Sequence, residues 1–267
     1  MDSTSIKGYW NREGIADKIL GKLAGLGKPL DALTLDDLAP YDHFHGGAKE
    51  ATDRLASLAG LKPGMKVLDV GGGLGGPART LAVEHGCVVT SIDLTESYVE
   101  AARILTNLLK LEGKVSHVQG NALMLPFADA SFDVVWTQNT GMQIQDKDAL
   151  YQEFFRVLRP GGLLATQEPM AGPVQPLMFP VTWARDASES FLRRPEEMRS
   201  SMEKAGFQVK VWEDVTDLAT GGENKKGPDS TIQGLVIGDN LAAVSEASRI
   251  NRVEGRAVMV QAILRRG

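Results

Sequence analysis

VLDVGGGLGGP, residues Val67 to Pro77, decides how the rest of the chain is read. It opens with an apolar run, Val67, Leu68 and Val70, interrupted by one acid, Asp69. Glycine then fills positions 71, 72, 73, 75 and 76, broken only by Leu74, and the helix-forming run ARTLAVEH follows. This pattern predicts a buried strand, a tight turn and a helix N-terminus. Glycine serves where φ must be positive, or where a ligand touches backbone that a Cβ would shield. The helix start adds outward N–H groups and a partial positive charge.

Two ligand classes use such a turn. Gly71, Gly73 and Gly76 satisfy G-x-G-x-x-G, the dinucleotide fingerprint. Asp69, Gly71, Gly73 and Gly75 also satisfy D-x-G-x-G-x-G, which resembles motif I of class I S-adenosylmethionine (SAM) methyltransferases. A turn that only packs helix on strand is a third reading. The acid in the strand end separates them. A pyrophosphate gains nothing from a carboxylate beside the turn, whereas a ligand carrying an ammonium and a sulfonium does.

Composition bounds the rest. At 267 residues and 43% hydrophobic content, one domain with an elaboration is expected. No apolar run reaches the ~18 residues of a membrane span, and MDSTSIKGYW has no signal-peptide core. The single cysteine, Cys87, precludes an internal disulfide and a Cys-based zinc cluster, and reads as a small buried hydrophobe. A formal net charge of −5 argues against a nucleic-acid partner. The expectation is a cytoplasmic protein of small-molecule metabolism with no membrane insertion; a homo-oligomer is compatible with the sequence.

Along the chain, helices are expected at Asn11 to Leu26 and at Leu33 to Leu38, the second capped by Thr34 and stopped by Pro40. The loop YDHFHGG, Tyr41 to Gly47, joins two histidines, an acid and two aromatics. It reads as a substrate-facing lid or as a packed loop; no further ligand set supports a metal. A helix at Lys49 to Ala59 completes an N-terminal extension and lid over residues 1–60, leaving a main domain over 61–267. Within it, strands are expected at Val88 to Leu94, Val115 to Val118, Phe132 to Thr137, Leu163 to Gln167, Phe207 to Val215 and Ala257 to Leu264. Helices are expected at Glu96 to Leu111, Asp146 to Leu158, Pro195 to Ala205 and Leu241 to Ile250. The irregular, apolar stretch 169–194 reads as a second lid, and Thr220 to Ser230 as a mobile loop. Asp93 lies about 20 residues past the glycines, where a carboxylate binds ribose hydroxyls. The alternation of strand and helix argues a doubly wound α/β sheet.

Four segments, in order, match one family: VLDVGGGLGGP, the strand ending in Asp93, GNALMLPFADASFDVVWTQN, and RVLRPGGLLATQEP. Over roughly Met65 to Val215 the chain resembles class I SAM-dependent methyltransferases, in the subgroup of quinone, tocopherol, sterol and sarcosine/dimethylglycine enzymes. The resemblance implies a Rossmann-like seven-stranded sheet of order 3-2-1-4-5-7-6 with an antiparallel last strand. It implies that Asp69, Gly71 and Gly73 line the methionine end of SAM, that Asp93 binds ribose, and that Leu94 packs on adenine. Asn121 and Ala122 would meet the adenine edge, Asn121 standing where the family usually has an acid, and Gln138 would face the donor's amino-acid part. The activity implied is methyl transfer to an N, O or C nucleophile of a small-molecule acceptor, leaving S-adenosylhomocysteine. Asp42, Glu168 and Trp183 tilt the acceptor slightly toward an amine, while the apolar insert suits a prenylated or sterol-like one. His45, His43 and Glu168 are the candidate bases. The alternative is a SAM-binding protein that transfers no methyl, such as a pericyclase or regulatory module.

Overall fold

A computed structural model describes residues 10–218 and 232–267; the loop expected at Thr220 to Ser230 lies outside the described residues. Seven strands form one sheet: β1 Lys66–Val70, β2 Val88–Asp93, β3 Val115–Gln119, β4 Phe132–Gln138, β5 Leu158–Ala171, β6 Phe207–Asp214 and β7 Ala257–Arg266. Their order is β3-β2-β1-β4-β5-β7-β6, with β7 antiparallel to both neighbours and the pairs from β3 to β5 parallel. The expected fold and strand order are borne out.

The strand period of two sorts β1 between the faces. Leu68 and Val70 join a core with Val135, Phe154, Leu164 and Met202, covered by helices α6 (Lys147–Val157) and α7 (Pro195–Lys204). Val67 joins the opposite core with Val89, Val134 and Trp136, under α3 (Ala48–Ala59) and α4 (Gly76–Glu84). Trp136 is fully buried, as expected for a core residue, and its Nε1 donates to Gln138 Oε1 at 3.0 Å. Chain direction switches between β1, which feeds β2, and β4 on its other side; in such sheets a ligand crevice opens at the strands' carboxyl ends.

A third core belongs to the N-terminal helices. Ile15, Ile19 and Leu23 of α1 (Ile15–Gly25) and Leu38 and Tyr41 of α2 (Leu35–Asp42) pack on Tyr98, Ala101 and Leu105 of α5 (Glu96–Leu108). Ile232 and Val236 of α8 (Ile232–Ile237) close the same cluster, and α9 (Leu241–Val253) follows. Thr34 caps α2 as expected, exchanging bonds with Asp37 in a capping box. Pro40 does not stop that helix. It lies inside it, and the helix runs on to Asp42. Proline removes one donor, while Tyr41 and Asp42 are both buried, and that packing holds the last turn.

Two strand limits also differ from expectation. β5 runs from Leu158 to Ala171 because β7 pairs with it as far as Ala171↔Ala257. Glu168 therefore lies within a strand, and the insert begins after it. The turn residues Arg159 to Gly162 are absorbed as an irregularity in the β4–β5 register. The short helix α8 was not anticipated.

A buried ion pair ties the extension to the sheet. Arg79 of α4 donates to Asp42 Oδ2 at 2.8 Å and to the Leu74 carbonyl at 2.7 Å, with both side chains essentially inaccessible. Burial alone would raise the Asp42 carboxyl; His43 and Arg79 outweigh it and hold it below its ordinary value. Removing one partner leaves a buried charge behind, at about 3–5 kcal/mol. Arg79→Met is expected to lose that much stability in denaturant unfolding. A loss under about 1 kcal/mol would mean that Asp42 is neutralised without it.

Candidate functional site

The glycine turn caps β1 and opens α4. Gly71, Gly73 and Gly75 have φ of 72°, 51° and 78°, which side chains other than glycine rarely adopt. Gly71 packs under Thr140: a Cβ there would sit 2.1 Å from its hydroxyl oxygen. Gly73 is the opposite case, with nothing within 4 Å of the position a Cβ would take. Its backbone faces open space, the second of the two uses of glycine anticipated from the sequence.

Asp93, at the end of β2, holds this turn. Oδ2 accepts from Gly73 N at 2.9 Å and Oδ1 from Thr95 N at 2.8 Å. The carboxylate thus joins the glycine turn to the start of α5, and Thr95, not Asp93, is that helix's N-cap. Asp69 stands on the neighbouring strand, 2% exposed, and its Oδ2 is buried with no hydrogen-bond partner. Burial, and then the Asp93 charge, pushes the Asp69 carboxyl up to about 7; burial raises Asp93 as well.

Both acids line a cavity of about 340 Å³ over the carboxyl ends of β1, β2 and β4. Gly71, Gly73, Leu94, Asn121, Ala122, Gln138 and His45 line it too, so the structure brings these predicted residues together. Asn121 Oδ1 accepts from Leu123 N at 2.9 Å, so the amide shapes its own turn as well as facing the cavity. Gln138 Oε1 accepts from Thr52 and Trp136, each at 3.0 Å, which leaves its amide nitrogen 3.5 Å from His45 Nδ1. Several wall residues were not foreseen. Trp10, Phe44, Tyr98, Gln143 and Val236 come from segments far apart in the chain, and Trp10 Nε1 donates to Gln143 Oε1 at 2.5 Å across them. No local pattern marks such a wall; only the packing of the extension on α5 creates it.

A second cavity, of about 140 Å³, shares Phe44, His45, Asn139 and Thr182 with the first. The loop before α3 and the insert therefore meet here, with Trp183 and Val181 supplied by the insert. Asn139 adopts φ 55° and its Oδ1 is buried without a partner. His45 Nε2 lies 3.2 Å from the Thr52 hydroxyl, and burial, then the neighbouring His43, lowers its pKa to about 3. It is neutral near pH 7.

Two candidate bases are placed elsewhere. His43 is buried beneath the glycine turn, its Nδ1 2.6 Å from Asp42 Oδ1 and its Nε2 3.3 Å from the Thr80 hydroxyl, and it lines neither cavity. Glu168 accepts from the N–H groups of Thr140 and Gly141 at 3.2 and 3.0 Å and also lines neither cavity. Burial raises it, and it secures the turn after β4. Asp42 lines the first cavity, but its carboxylate is already engaged by Arg79 and His43, while Glu168 lines neither.

Known proteins that the chain is similar to are methyltransferases. Residues 68–166 match the family model described as a methyltransferase domain. The chain is 43% identical over 115 residues to a botryococcene C-methyltransferase of Botryococcus braunii, covering 43% of this chain and 30% of that one. It is 33% identical over 132 residues to a glycine/sarcosine/dimethylglycine N-methyltransferase of Actinopolyspora halophila, covering 49% and 23%. The chain thus spans less than a third of the length of these two relatives. A solved geranyl diphosphate methyltransferase, in complex with GPP and sinefungin, superposes with a TM-score of 0.74 at 20% identity over 99% of both chains. The resemblance to SAM-dependent methyltransferases therefore holds in sequence over the domain and in fold over the whole chain.

Asp69 binds its proton more tightly in the folded chain than in the unfolded one, whose carboxylates titrate near ~4. Stability of the free protein is therefore expected to fall as pH rises from about 4 toward about 7, because the unfolded state releases the proton first. Asp69→Asn removes this penalty. Thermal melts should show the variant gaining on the wild type as pH rises across that window, and a constant difference would refute the perturbed carboxyl.

Proposed function

We propose that the chain transfers the methyl group of SAM to a small-molecule acceptor held in the second cavity. The observation that carries this is the pair of adjacent carboxylates, Asp69 and Asp93, beside a glycine whose missing Cβ opens the cavity. A polyphosphate would be repelled there. The residues fit SAM: the unpartnered Asp69 oxygen suits an ammonium, Asp93 retains lone pairs for ribose hydroxyls, and Leu94 with Ala122 offers apolar faces to adenine.

When bound, SAM supplies an activated methyl group on a sulfonium. The chain's own work is to bind, align and exclude water, and alignment contributes roughly 7–11 kcal/mol at best. His45 and Asn139 stand where the two cavities meet, so they are placed to orient the acceptor. With its basicity held low, His45 serves as a neutral hydrogen-bonding group; a base is needed only if the acceptor keeps its proton until attack. Phe44, Trp183 and the Trp10–Gln143 bond shield the site.

Incubation with methyl-labelled SAM and a metabolite extract tests the reading. Label should pass to a small molecule with stoichiometric S-adenosylhomocysteine. Binding of SAM without transfer to any acceptor would favour the non-transferring alternative, and binding of NAD in place of SAM would overturn both. Gly73→Val should abolish S-adenosylhomocysteine binding in calorimetry. Gly64→Val, at φ 83° and equally open but outside the cavity, should share the backbone strain of about 1–3 kcal/mol and keep the affinity. His45→Ala should lower single-turnover rates on the order of 10-fold with S-adenosylhomocysteine affinity near wild type. Normal turnover would remove His45 from the site.

A further inference from the structure

The second cavity has a charge asymmetry that the acids of the first do not share. One part of its wall is apolar, with Phe44, Val181, Trp183, Val258 and Met259, and the rest is polar. Among the described residues lining it, no carboxylate appears, and Arg252 is the one permanently charged side chain. Helix α9 presents Ser248, Asn251 and Arg252 to it at i, i+3 and i+4, one face of the helix. Asn251 is fully engaged, accepting from Met178 N at 2.7 Å and donating to the Met178 carbonyl at 2.9 Å. It pins the insert to α9.

Arg252 is not so engaged. The nearby arginines are neutralised: Arg249 pairs with Glu246 and Arg256 with Glu254. Arg252 forms no hydrogen bond or ion pair with a described residue through its side chain. Its place in the last turn of α9 is favourable for a cation, but that does not require it to line a cavity. Asp214 and Asp217 line an adjoining cavity that shares Thr216, Arg252, Ala257 and Val258 with this one. Asp214 is already taken by the N–H and hydroxyl of Thr216, at 2.9 and 2.5 Å. A half-buried guanidinium lining a cavity offers paired N–H donors to a bound oxyanion.

We propose that this cavity takes an acceptor with an apolar body and a compact oxyanion, carboxylate or phosphate, held by Arg252. The proposal rests on the methyltransferase reading for the word acceptor, while the anion site itself stands on the cavity alone. Arg252 lines the second cavity and not the first, so it would anchor the acceptor without touching the donor.

Calorimetric titration with octanoate and octyl phosphate, against 1-octanol as the neutral control, tests it. The wild type should bind at least one of the anions about tenfold more tightly than octanol, a difference of about 1.4 kcal/mol. Arg252→Met should erase that difference and Arg252→Lys should keep part of it, with S-adenosylhomocysteine affinity unchanged in both. The tighter anion names the head group. Octanol binding as well as both anions to the wild type would overturn the proposal without recourse to a variant, as would Arg252→Met binding the anions like wild type. The titrations are run with and without S-adenosylhomocysteine. If the wild type does not bind that molecule, the methyltransferase reading falls, and the anion arms still decide the cavity.

Discussion

Two carboxylates on adjacent parallel strands, Asp69 and Asp93, face one cavity with no cation in contact with either among the described residues. This is the constraint on which the site depends. Burial raises both carboxyls, and the Asp93 charge adds to the rise at Asp69. Asp93 offsets its own burial by accepting two backbone N–H groups. Asp69 has no such full complement, since one of its oxygens is unpartnered. A fold optimised for stability alone would place an apolar residue here, as it does at Leu68 and Val70 on either side. An unpartnered carboxyl beside a second acid is the feature that the proposed cationic ligand would meet.

The surrounding structure keeps this pair in place. Asp93 clamps Gly73, Arg79 clamps the Leu74 carbonyl, and Thr140 lies on Gly71, so three consecutive sectors of the turn are each fixed by a different element. Arg79 in turn depends on Asp42 at the end of α2. The N-terminal helices therefore do two things at once. The N-terminal segment supplies cavity wall through Trp10, Asp42 and Phe44, and locks the turn through Asp42 and His43. Histidines two positions apart serve opposite ends of this arrangement: His43 lies in the lock, His45 in the wall.

That division explains what could be read from sequence. The strands around the turn are short apolar runs with acids at their ends, and their order followed from the family resemblance carried by four motifs. The wall proposed for the donor is local to those motifs, so Asp69, Gly73, Asp93, Leu94 and Asn121 all fell on the first cavity. The wall proposed for the acceptor is made by segments distant in sequence, and there spacing carries no signal. Nothing in YDHFHGG says which imidazole turns inward; packing of Asp42 on Arg79 decides it. Glu168 looked like a strand-end acid because the β7 pairing that extends β5 to Ala171 is a long-range choice. Helix α8, the six residues IQGLVI, has no polar face long enough to show a helical period.

In the proposed function the carboxylate pair receives the cationic end of a SAM-type ligand, with adenine beyond Asp93. A crystal structure of the protein grown with S-adenosylhomocysteine tests this most directly. Ligand density is expected across the glycine turn, with the amino group within hydrogen-bonding distance of Asp69 or of a water held by it, the ribose hydroxyls on Asp93, and the adenine between Leu94 and Ala122. Density elsewhere, or a ligand whose ribose and amino group contact neither acid, would contradict it.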